Sequence, residues 1–301
     1  MEIWVVRPDG SRLTQITHAP PNYLDSDPAW KPDGSRLLFT RCAPLNGSLC
    51  DGENSVWSVN RNGSGLRMLT PACRSVSKTP SPACPQDGQA SCSPDGRRIA
   101  FDRFVGVRAL AVGDDNLRHV HLIFPFGDNR RAPDVDSHAW SPDGTRLAFA
   151  VHNKNGDRHL PAGGSAIFVI NADGTGLGRI TPWKLRAGGL GELDWSPDGS
   201  RILFRTVTAF LESPGPSYGN VYTIRPDGSG LHQLTHLVDT GVQLGSFSPN
   251  GKQIVYTTSA GASSSPSSDY PDVFTMDADG KHVTPVTRTK NWEGTPSWGS
   301  R

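Results

Sequence analysis

A ten-residue phrase recurs along the chain and limits what it can fold into. It reads Trp30-Lys-Pro-Asp-Gly-Ser-Arg-Leu-Leu-Phe39 and returns at Cys92–Phe101, Trp140–Phe149, Trp195–Phe204 and Phe247–Tyr256, with a sixth opening at Trp298-Gly-Ser. Successive anchors lie 62, 48, 55, 52 and 51 residues apart. Every copy has a second half: Val56-Trp-Ser-Val, Ala109-Leu-Ala-Val, Ile167-Phe-Val-Ile, Val221-Tyr-Thr-Ile and Val273-Phe-Thr-Met. Each then passes an Asn-Gly, Asp-Gly or Asp-Asp turn and a last strand ending at Thr70, Ile123, Thr181, Thr235 or Thr287. The Asp-Gly and Asn-Gly pairs supply the positive φ a tight hairpin needs, and proline before aspartate presets the first corner of the turn.

Four short β-branched and aromatic strands per repeat, at this period, predict an all-β, six-bladed β-propeller with four-stranded antiparallel blades. Composition agrees, since Gly 33 and Pro 25 are far above ordinary usage without collagen's triplet spacing, while Trp 8 and Phe 11 supply the apolar burial that disordered chains lack. No ten-residue helical period is present. The blades fall at approximately 24–70, 86–123, 134–181, 190–235 and 242–287. Residues 1–17 match the third and fourth strands of the repeat and 290–301 match the first, so the two termini are expected to close the ring in one composite blade of a single domain spanning 1–301. That blade lacks a recognisable second strand. The expected core is Trp4, Trp30, Phe39, Trp57, Cys92, Phe101, Trp140, Phe149, Phe168, Trp195, Phe204, Phe247 and Trp298.

A formal net charge of +1 removes the electrostatic footprint of a nucleic-acid binder. No apolar run approaches a membrane span, and the opening MEIWVVRPDG does not read as a signal peptide. The Asp-Gly turns are uniformly tight, whereas the opposite side carries the long segments Arg41 to Asn54, Pro71 to Ala90, Phe124 to Val135, Val151 to Ser165, Arg205 to Asn220 and Thr257 to Asp272. Variable loops on a rigid frame are where binding usually sits. Just ahead of the anchors stand Asp25, Asp27, Asp87, Asp136, His138, Glu192, Asp194 and Glu293, a set expected at the mouth of a central channel. Carboxylates there could hold a partner's basic segment or a divalent cation such as calcium, or could simply cap turns and hydrate the channel. No other cofactor is expected.

All five cysteines fall between 42 and 92. Cys42 with Cys50 and Cys73 with Cys84 bracket local loops and are expected as disulfides, whereas Cys92, at an anchor position, is expected as a free, buried thiol. Two bridges would indicate an oxidising compartment. The Gly215-Pro-Ser217-Tyr-Gly219 run matches a nucleophile elbow only formally, because a strand and not a helix follows it. His119-Val-His121, with His138 or His152 as a third ligand, offers metal-type side chains, but on an outer strand a solvated pair is expected. Asn46-Gly-Ser48 and Asn62-Gly-Ser64 are sequons, the latter already explained as a turn.

The phrase Trp-Ser-Pro-Asp-Gly-x-Arg-Ile/Leu-x-Phe, with its second half and closing Leu/Ile-Thr, resembles the repeat of TolB-type β-propellers over nearly the whole chain. The resemblance implies a six-bladed ring that binds peptides or proteins at a channel mouth, acting as a monomeric, non-catalytic scaffold in the periplasm or outside the cell. The loop cysteines are not part of the shared motif. The repeats are also similar to propellers attached to serine peptidases and to polysaccharide lyases, which leaves a propeller-based hydrolase or lyase, or a gating domain, as the alternative.

Overall fold

The computed structural model describes residues 2–43, 54–71, 85–105, 108–124, 134–153, 164–187, 193–206, 219–237, 241–259, 271–288, 293–294 and 296–298. The chain divides into two compact units, 1–135 with 172–174 and 299–301, and 136–171 with 175–298.

In the first unit, β1 (Trp4–Val5) and β2 (Thr14–Gln15) form a two-stranded sheet. A four-stranded sheet follows from β3 (Leu24–Trp30), β4 (Arg36–Cys42), β5 (Asn54–Asn60) and β6 (Arg67–Met68), and another from β7 (Gln86–Cys92), β8 (Arg98–Phe104), β9 (Arg108–Asp114) and β10 (His121–Phe124). Leu37, Phe39 and Val59 pack with Ile3 and Ile16, while Leu38, Val56, Ile99, Phe101 and Ala111 fill the space between the four-stranded sheets.

The second unit carries β11 (Asp134–Trp140), β12 (Arg146–His152), β13 (Ser165–Asn171) and β14 (Gly178–Arg179). Then come β15 (Leu193–Trp195), β16 (Ile202–Arg205), β17 (Val221–Ile224) and β18 (His232–Gln233), and finally β19 (Gly241–Phe247), β20 (Gln253–Ser259), β21 (Asp272–Asp277) and β22 (Thr284–Pro285). Each set is an antiparallel meander in chain order. Trp195 and Phe204 pack with Ile167 and Ile202, and Phe247, Tyr256 and Met276 with Leu203 and Val221. One 3-10 turn, Trp183–Leu185, is the only helical element among the described residues.

The recurring phrase is explained by local hydrogen bonding. Ser93, Ser141 and Ser196 each donate their hydroxyl to the aspartate two residues on, at 2.6 Å, and accept the backbone N–H five residues on, at 2.9–3.0 Å. The aspartate in turn accepts the N–H two residues beyond it, for example Thr145 N–H to Asp143 at 2.9 Å, and these bonds hold the Asp143 carboxyl down at about 2. The glycine that follows takes φ near 70°, as Gly144 does at 68°. The closing threonine has an equally local task. Thr17, Thr70, Thr181, Thr235 and Thr287 accept the backbone N–H of Ile3, Val56, Ile167, Val221 and Val273 at 2.8–2.9 Å, tying the outer strand across the start of the third.

Four expectations need correction. Among the described residues there are five four-stranded blades, not six: residues 1–17 give only the β1–β2 pair, and no strand occurs among the described residues of 290–301. Among the described residues the third-strand piece β1 has no second-strand neighbour, and Trp4 is 50% exposed and lies outside the core. Trp30, Trp57, Phe168 and Trp298 are only partly buried. Cys92 is free, as expected, but is also only partly buried.

Candidate functional site

The innermost strands of the first unit are bent by design. In β3 and β7 the pairing register shifts, between Ser26 and Ala29 and between Gly88 and Ser91. The left-handed residue at each shift is Asp27 (φ 52°) and Gln89 (φ 51°), both three positions ahead of the anchor. In the second unit Ser137 has φ 54° at the equivalent place, and β19 shifts register between Leu244 and Phe247. Such bulges re-aim the side chains around them.

Ahead of the bulge, Asp25 and Asp87 lie fully buried and are gripped by arginines of the neighbouring strand. Arg41 meets Asp25 through Nε at 2.6 Å and Nη2 at 2.8 Å, and Arg103 meets Asp87 at 2.9 Å through both nitrogens. Each guanidinium also lies over an aromatic ring, Arg41 at 4.9 Å from the Trp57 centroid and Arg103 at 5.1 Å from Phe101. Burial nonetheless raises the Asp87 carboxyl above its ordinary range, against the pull of Arg103. The arginines and their forked geometry were missed in the sequence. The available signal was the coincidence of Asp five residues before the anchor with Arg eleven after it, in these two repeats alone; the third repeat has Val135 and Val151 at those places.

Asp27 differs from both. Its carboxylate accepts from Ser26 Oγ at 2.9 Å, and burial, with the negative charge of Asp102 adding to it, pushes its pKa up. Beside it, Thr40 Oγ1 accepts the Gln89 backbone N–H at 2.9 Å and so joins the two blades.

In the second unit Asp194 joins two blades. Its Oδ2 accepts the backbone N–H of Phe247 at 2.7 Å, and burial raises its pKa to about 7. One blade on, Ser246 Oγ accepts the N–H of Trp298 at 3.0 Å, the same bond with a neutral acceptor. Any side chain at Gly245 would strike the Pro296 carbonyl, which is why the strand is bare there. His138 is buried in β11, and Glu293 is partly buried, accepting from the Thr287 hydroxyl. The side chain of Asp136 and the whole of Glu192 lie outside the described residues, as do most of the long loops and Gly215–Tyr218.

Cys42 is fully buried and disulfide-bonded. Its partner lies outside the described residues, as do Cys50, Cys73 and Cys84, and no disulfide joins two described residues. Burial pushes the Cys92 thiol up to about 12. His119 is exposed and pairs with Asp114 at 2.8 Å. Among the described residues no three His, Cys, Asp or Glu side chains converge as metal ligands. An open groove does occur on the tight-turn side of the second unit, lined by Asp198, Arg201, His232, Phe247, Asn250 and Asp279.

Comparison with solved structures matches this architecture. A TolB-type protein from Agrobacterium tumefaciens aligns with TM-score 0.64 at 19% identity, over 92% of this chain and 84% of that one. TolB from Acinetobacter baumannii aligns with TM-score 0.66 at 18% identity, over 99% of this chain and 62% of that one. The fold is a β-propeller. An oligogalacturonate lyase in complex with manganese is also similar, with TM-score 0.57 at 15% identity over 95% of this chain and 72% of that one. At these identities the likeness concerns the propeller alone. No family model and no curated protein matches the sequence.

Proposed function

We propose that the protein is a TolB-like, non-catalytic scaffold that binds a peptide or protein at the long-loop face and channel mouth of its propeller. Asp27 carries this reading. Its carboxylate sits on an innermost strand, is aimed by a left-handed bulge, and has no basic side chain against it among the described residues, whereas Asp25 and Asp87 are already neutralised by Arg41 and Arg103. A partner's lysine or arginine would be drawn to it and would favour its ionised form. Asp136 and Glu192 hold similar sequence positions, three or four residues ahead of the anchor, in other repeats and are proposed as further acidic contacts; a calcium ion held by such carboxylates would serve the same electrostatic end. The similarity to two TolB propellers supports the scaffold role, and the disulfide at Cys42 supports a periplasmic or extracellular setting.

The test is capture of a partner from the source cells. The Asp27→Asn, Asp136→Asn, Glu192→Gln protein should lose capture at unchanged melting temperature. Undiminished capture places binding elsewhere, and turnover of an acidic polysaccharide by the native protein would replace the scaffold with a lyase, for which Asp136, His138, Glu192 and Glu293 are the residues to examine.

A further inference from the structure

The groove on the tight-turn side of the second unit has a volume of about 740 Å³, and every residue that lines it is described. Its size is that of a small-molecule site. It runs between two blades at a place where the repeat loses a ring. At the preceding junction the anchor is Trp195, whose indole N–H donates to the Ala139 carbonyl at 3.1 Å and whose ring centroid lies 5.1 Å from the Arg146 guanidinium. At this junction the anchor is Phe247, shorter by one ring and without a donor. Arg201 holds the place of Arg146 in the recurring phrase. Its guanidinium has no aromatic ring in reach among the described residues and donates to Thr223 Oγ1 at 3.3 Å.

The charges in the groove are set by its other walls. Thr223 is the register partner of His232, so Arg201 and His232 line the groove from either side of that threonine. Asn250 stands where the preceding repeat has Asp198, and His232 stands where it has Gly178, so one carboxylate is lost here and one imidazole gained. The carboxylates that remain are engaged. Asp279 meets Lys281 Nζ at 2.9 Å, and Asp198 accepts from the hydroxyls of Ser196 at 2.6 Å and Ser200 at 2.8 Å. We infer that this groove binds a small aromatic carboxylate with a planar ring system of indole size. The ring lies over Phe247 and against the face of the Arg201 guanidinium, repeating the Trp195–Arg146 contact, while the edge of that guanidinium and an imidazole N–H of His232 take the carboxylate.

The probe is indole-3-acetate, titrated into the intact chain by calorimetry. It should bind saturably, and indole-3-acetamide, which keeps the ring and loses the charge, should bind at least tenfold more weakly. Arg201→Gln copies Gln253 of the next repeat and His232→Thr copies Thr284. Each should weaken indole-3-acetate about tenfold at unchanged melting temperature, and Arg201→Gln should narrow the difference between acid and amide. Phe247→Trp restores the ring that this repeat lacks and should abolish binding; should it fail to fold, the other two variants decide. A blocked dipeptide ending in tryptophan with a free carboxylate separates the sources: binding as tight as that of the free acid assigns the groove to a polypeptide C-terminus, and its exclusion assigns it to a free aromatic acid. No saturation at millimolar indole-3-acetate, equal affinity of the native protein for the amide, or undiminished binding by Arg201→Gln overturns the inference.

Discussion

The carboxylate of Asp194 accepts the backbone N–H of Phe247 across 2.7 Å, so that one blade of the second unit holds the anchor residue of the next. The backbone N–H groups of Phe247 and Trp195 pull the Asp194 carboxyl down, but burial outweighs them and raises its pKa to about 7. The folded state therefore binds a proton that the unfolded chain, titrating near 3.8, releases. The sign follows: this stability is present below about pH 4 and is lost as pH rises through 7. Thermal unfolding of the native protein should lose several degrees more than that of Asp194→Asn between pH 5 and 8. Parallel profiles for the two proteins would show that the carboxyl stays ionised in the fold.

The Asp25–Arg41 pair should behave as a buried ion pair does. Removing one partner, as in Arg41→Met, leaves a charge stranded and should cost about 3–5 kcal/mol. The double change Asp25→Val with Arg41→Val copies what the third repeat carries at Val135 and Val151, and should cost far less. Denaturant midpoints of the single and double variants decide between this and simple additivity.

The two tryptophans Trp195 and Trp4 should separate core from edge. Trp195 is 4% exposed and donates its indole N–H to the Ala139 carbonyl at 3.1 Å, so Trp195→Ala should cost about 3–5 kcal/mol. Trp4→Ala, at a half-exposed position, should cost about 1 kcal/mol or less. Urea unfolding gives both values, and equal losses would mean that β1 is covered in solution.

Thiol titration of the unreduced protein should detect no fast-reacting group at pH 8 in the folded state, since Cys92 is held up at about 12, and one after denaturation. Three or five thiols in the denatured sample would remove one or both of the expected bridges, Cys42–Cys50 and Cys73–Cys84.

Much of the fold was legible because its determinants are local. The Ser-Pro-Asp-Gly turn closes its own hydrogen bonds within five residues, as Ser141, Asp143 and Arg146 show, and the closing threonine reaches back only 14 residues. Such bonds form wherever the words occur, so five copies announce five blades.

What the site does with its carboxylates was decided by tertiary structure. Asp25, Asp27, Asp87 and Asp194 look alike in the sequence, each a few residues ahead of an anchor, yet two are neutralised by arginines 16 residues away, one is left facing Asp102, and one bonds a backbone 53 residues on. Desolvation and pairing depend on which strands meet, and that is set by register and by the bulges at Asp27 and Gln89. The same holds for Trp4: its sequence context matches that of Trp57, yet its ring is half exposed where no second strand lies beside β1 among the described residues, because burial belongs to the neighbour and not to the residue.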